Sequence, residues 1–148
     1  MTRAIILDAG PLGLLAHPRK HPEAKNWLRS LLLAGIPVAL PEIVDYEVRR
    51  ELLRLNATAG IARLDTLKST LWYLPITTSA MLTAAQYWAK LRLTGLPTAA
   101  NAALDADVIL AAQTDVLAVG GYTAIVATTN VRHLTRLVPA AVWNTITP

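Results

Sequence analysis

A chain of 148 residues with a net charge of +4 has the length of one ordinary domain, and a single domain over residues 1–148 is expected. The absence of Cys excludes disulfides, thiolate metal sites and cysteine nucleophiles. Although 53% of the residues are hydrophobic, the longest apolar stretch, Leu31 to Leu40, carries Gly35 and Pro37 and falls short of the roughly 20 residues a bilayer needs, so no membrane span is expected and the chain reads as cytoplasmic.

In chain order, Ala4 to Leu7 is an apolar run suited to a buried strand, closed by Asp8 and then Ala9, Gly10 and Pro11. Asp8 has two readings: a cap on the turn or following helix, or a carboxylate facing a crevice at the carboxyl edge of a parallel sheet. Pro22 and Glu23 open a helix that closes at Gly35, and Ile36 to Leu40 reads as a second strand. Pro41 and Glu42 suit the first turn of a helix running to about Asn56, with another from Ala59 to Leu71. Trp72 to Ile76 is the third strand. Ser79 is predicted to cap a helix carrying Met81, Ala85, Trp88 and Leu91, which stops near Gly95 and Pro97, and Leu96 to Ala103 reads as a loop. A strongly apolar helix is predicted from Asp105 to about Val119. Strands at Thr123 to Ala127 and Ala141 to Ile146 complete the chain. Short strands alternating with helices predict a three-layer α/β fold around a parallel sheet.

The ten acids are few enough that those beside apolar surface carry information. In the helix from Glu42, the buried stripe is drawn through Val44, Val48, Leu52 and Leu55, so Glu47 borders the core and Asp45 lies farther around. The competing reading of Glu47 is a surface ion pair with Arg50 or Arg54. Asp105 and Asp107 both precede an apolar helical run. One acid there is explained by the helix dipole; two repel by roughly a few kcal/mol at about 4 Å and an effective dielectric near 20, which a divalent cation would relieve. Asn130 closes a strand as Asp8 does, and either caps a short helix over Val131 to Leu137 or contacts metal or water. His133 is discounted as a ligand because it lacks a spaced partner.

Oxygen ligands without Cys or paired His select Mg²⁺ or Mn²⁺, and such clusters serve phosphoryl transfer. The positive balance favours an anionic partner, nucleic acid first. Arg49, Arg50, Arg54, Arg132 and Arg136 lie near these acids in sequence and could hold phosphates, or form solvated helix faces.

Four segments in this order resemble the PIN-domain nucleases: Ile5-Ile6-Leu7-Asp8-Ala9-Gly10-Pro11-Leu12, Pro41-Glu42-Ile43-Val44-Asp45-Tyr46-Glu47, Asp107-Val108-Ile109-Leu110-Ala111-Ala112-Gln113, and Val126-Ala127-Thr128-Thr129-Asn130-Val131-Arg132-His133-Leu134. The resemblance implies a Rossmann-like sheet ordered 3-2-1-4-5 and an acidic Mg²⁺ or Mn²⁺ pocket that cleaves single-stranded or structured RNA. It puts the family's acids on Asp8, Glu47 and Asp107, with Asp105 as an additional ligand. The fourth position, often Asp, is Asn130, which adds no charge. Thr128 matches a hydroxyl position that binds water or substrate. Small stand-alone PIN domains are similar to the VapC-like toxins of type II toxin–antitoxin pairs, which implies a homodimer and a small antitoxin partner. The other expectation is a catalytically inactive PIN-fold module for RNA binding or protein interaction, which Asn130 permits. A phosphatase-like or response-regulator-like domain with Asp8 as nucleophile stands third, because Glu47 sits on a helix.

Overall fold

A computed structural model of the chain describes residues 2–94, 101–131 and 134–148. Among these residues, strands β1 (Arg3–Leu7), β2 (Val38–Pro41), β3 (Trp72–Leu74), β4 (Thr123–Thr128) and β5 (Ala140–Val142) form an all-parallel sheet in the order β3-β2-β1-β4-β5. Ala4, Ile5, Ile6 and Leu7 of the central strand are fully buried. Their unbroken apolar run suits a strand covered on both faces, where alternation would leave polar groups in the core. Leu7 pairs with Ala127, so the ends of β1 and β4 lie side by side. This is also where the strand order reverses. In open α/β sheets, ligands gather at such a reversal, outside the carboxyl ends of the strands, which here are those of β1 and β4.

The helices are α1 (Ala9–Ala16), α2 (Pro22–Leu33), α3 (Glu42–Arg54), α4 (Thr58–Thr70), α5 (Thr78–Leu93) and α6 (Asn101–Val119). Helices α1, α3 and α4 pack on one another, while α5 lies along α6 around a smaller core of Ala80, Ala84, Leu91, Leu104, Val108 and Ala112. Among the described residues, no helix is long and apolar enough to cross a membrane.

Several elements differ from expectation for local reasons. The segment read as a turn after Asp8 is helix α1: Asp8 caps it, and Pro11 falls in the first turn, where its missing N–H costs nothing. Gly10 is required there, because a Cβ would come within 2.6 Å of Thr129 Cγ2 and Oγ1 at the end of β4. Thr77, not Ser79, caps α5, its hydroxyl oxygen accepting from the Ala80 N–H at 3.0 Å. Helix α6 is described from Asn101, four residues before Asp105, and Ala102, Ala103 and Leu104 are strong helix formers. Asp105 and Asp107 therefore sit in its second turn rather than at its N-terminus. The rest of the predicted loop, residues 96–100, lies outside the described residues, as do Gly95, Arg132 and His133. The last strand stops at Val142; a 3₁₀ turn, Trp143–Thr145, then stacks Trp143 edge-to-face on Trp27, whose indole N–H donates to Ile146 O at 2.9 Å.

Candidate active site

Asp8 lies at the switch point with both carboxylate oxygens engaged. Oδ1 accepts from the Ala9 N–H at 2.7 Å, capping α1, and Oδ2 accepts from the Thr128 hydroxyl at 2.7 Å. The Asp8 N–H donates to Ala127 O at 3.0 Å, which extends the β1–β4 ladder by one bond. The cap reading of Asp8 is met by the Ala9 bond, which fixes the side chain at the carboxyl edge of the sheet beside β4.

Thr128 is 1% exposed, and its hydroxyl is turned to Asp8. In this arrangement the hydroxyl positions Asp8. The same oxygen accepts from the Asn130 N–H at 3.2 Å, a short side-chain turn that ends the strand. Asn130 itself is exposed beyond that turn. The helical turn described after it is Leu134–Arg136, shorter than the helix from Val131 to Leu137 that Asn130 was read as capping.

Glu47, on α3, is half-buried. Burial first, and the charge of Asp8 second, push its carboxyl up to about 7; Arg50 opposes this and Asp107 adds a further push. Glu47 thus feels Asp8 from the end of β1 and Asp107 from α6, so carboxylates from two other elements act on it. Among the described residues Glu47 forms no ion pair; Arg54 is taken by Glu51. Among the same residues, no three Asp, Glu or His side chains are arranged as a finished metal cage. Asp105 is exposed in the wall of an apolar groove between α5 and α6, beside Met81, Trp88 and Ile109. Two residues from Asp107 on a helix, it faces a different side.

The arginines separate similarly. Arg49 is held by two hydrogen bonds to Asp45, at 3.0 and 3.2 Å, and pairs with Asp65 at 2.8 Å, so its charge is spent between α3 and α4. That pairing explains why Asp45 is 6% exposed although the helical stripe had placed it farther from the core. Arg50 does border the acids, within the field of Glu47. Arg132 lies outside the described residues.

Gln113, quoted in the sequence without a role, ties the site's elements together. Its buried amide donates from Nε2 to Leu74 O at 2.7 Å and accepts through Oε1 from the Ile43 N–H at 3.3 Å, joining α6 to the end of β3 and the first turn of α3. A buried Gln in an otherwise apolar helix run is the signal that could have found it.

No family model and no curated protein matches this sequence. Solved structures do match. A VapBC2 structure from Rickettsia felis, bound to a DNA fragment from its promoter, is similar with a TM-score of 0.75 and 17% identity, over 95% of this chain and 98% of that one. A DNA-bound VapBC from Salmonella typhimurium gives 0.73 and 19%, over 96% and 99%. VapC20 of Mycobacterium tuberculosis, a toxin that cleaves the sarcin-ricin loop, gives 0.61 and 16%, over 90% and 94%. The chain has the PIN-domain fold. In this PIN fold the three interacting acids come from segments far apart in sequence, and the sheet's switch point is what gathers them.

Proposed function

We propose that this PIN-fold chain is a metal-dependent endoribonuclease, hydrolysing RNA phosphodiester bonds through an acidic Mg²⁺ or Mn²⁺ site, and the cytoplasmic toxin of a type II toxin–antitoxin system. The observation that carries the reading is Glu47, half-buried and pushed up to about 7 beside Asp8 and Asp107. Perturbed carboxyls gathered in a crevice mark functional sites. The donors are hard oxygens, which fit Mg²⁺ or Mn²⁺ better than softer metals. Asp8, Glu47 and Asp107 would hold the ion; two hydrogen bonds fix Asp8, so closing the cage falls to the other two. When bound, the cation supplies charge that activates a water and offsets the negative charge growing on the phosphate. Arg50 tempers the repulsion at Glu47 and is placed to meet an RNA phosphate. A small antitoxin and a homodimer belong to the same reading, and the VapBC neighbours support the antitoxin.

The test is cleavage of RNA with Mg²⁺ or Mn²⁺ and with a chelator. Asp8→Asn and Asp107→Asn are each expected to lose about 100-fold or more in rate. Metal-dependent cleavage unchanged in both rejects the site. A second reading, a PIN-fold module that binds RNA or protein without catalysis, draws on Asn130 and on the lack of a finished cage among the described residues. RNA binding without cleavage under every metal condition would establish that reading instead.

A further inference from the structure

Next to the acids, the outer side of α3 forms an open depression of about 440 Å³ with α4 and the end of β3. Its two acids are already satisfied from within. Glu42 accepts from the Tyr73 hydroxyl at 3.1 Å and the Ile76 N–H at 2.8 Å, and Asp45 is bound by Arg49. What remains toward solvent is two aromatic rings, two cations and the exposed side chain of Leu53. Tyr46 is 50% exposed, with the Arg50 guanidinium 5.1 Å from its ring centroid, and Lys68 lies 4.8 Å from the centre of the Tyr73 ring. Among the described residues neither Arg50 nor Lys68 forms an ion pair, so two cations outside any ion pair line the depression.

We propose that this depression is a nucleobase subsite, in which an unpaired base of single-stranded RNA stacks on the Tyr46–Arg50 pair while Lys68 meets the adjoining phosphate. An aromatic ring with a guanidinium over it is a platform for a third planar group, and the flanking ammonium suits a phosphodiester. A base inside a duplex cannot present its face to such a platform, so the subsite selects single strands. An acidic peptide would use the cations but has no need of the open ring. The position fits as well: Tyr46 precedes Glu47 on α3, and Arg50 both covers Tyr46 and acts on Glu47, so one strand could run from the acids across Arg50 to the ring. This inference rests on the ribonuclease reading and deepens it by naming what the site holds beside the scissile bond.

The test measures binding of a short fluorescein-labelled single-stranded RNA, and of the matching duplex, by anisotropy in an Asp107→Asn background that leaves the RNA intact. Tyr46 is exposed, so its variants should fold. Tyr46→Leu, which keeps apolar bulk but loses the ring, is expected to weaken single-strand binding about tenfold, and Tyr46→Phe by less than about twofold, with duplex binding the same in both. Equal single-strand affinity for Tyr46→Leu and its parent overturns the subsite and leaves the ribonuclease reading standing. A parent that binds no RNA overturns both.

Discussion

Asp8 spends one oxygen on the helix that follows it and the other on a hydroxyl 120 residues away, so its position at the carboxyl edge of the sheet depends on Thr128. Thr128→Val keeps the shape and removes the donor. It is expected to cost about 1–3 kcal/mol in chemical denaturation at neutral pH and to slow RNA cleavage, while Thr128→Ser retains most of both. Glu47 makes a separate prediction about pH. Its folded pKa, about 7, lies above the ordinary 4.5, so folding favours the protonated form. The associated stability is fully present below about pH 4.5 and is lost as pH rises through 7. Because Glu47 is partly exposed, the loss should be about 1–2 kcal/mol rather than the full value of the shift. Melts of metal-free protein between pH 4.5 and 8 should show this decline in the wild type and not in Glu47→Gln; parallel curves for the two would contradict it.

At the scale of elements, α3 and α6 each bring one acid, and Gln113 sets their spacing. Gln113→Leu should leave the Ile43 N–H and the Leu74 carbonyl without this partner and lower stability by about 2–3 kcal/mol. Cleavage should fall with it, because α6 also carries Asp107. Apolar runs and caps in the sequence disclosed the strands and most helices, since burial on both faces leaves little choice of residue type. Helix α1 escaped notice because Gly10 and Pro11 signal a turn; the cap by Asp8 and the close approach of β4 outweigh that signal. Asp45 falls farther around the helix when the buried stripe is drawn through Val44, Val48, Leu52 and Leu55 alone. Arg49, one turn later, neutralises it and allows its burial. The extra turn at the start of α6 moved Asp105 and Asp107 away from the helix end, which removes the dipole explanation for both.

For the molecule as a whole, the parallel sheet with its reversal at β1 explains why three acids scattered along the chain share one field. That Asp8, Glu47 and Asp107 stand beside apolar runs was legible in the sequence, and the resemblance to PIN domains singled out the same three. The tasks of Thr128 and Gln113 were not legible, since each depends on contacts between residues 39 to 120 positions apart. If the three carboxylates act as one metal site, calorimetric titration of Mn²⁺ in buffers of different ionisation enthalpy will register both the ion and the protons it displaces. Near pH 7 about half of the Glu47 carboxyls carry a proton, so binding should release about half a proton per ion, and more at lower pH. Asp8→Asn and Asp107→Asn should each weaken the affinity at least about tenfold. No Mn²⁺ binding by the wild type, or equal affinity in all three proteins, would contradict the account.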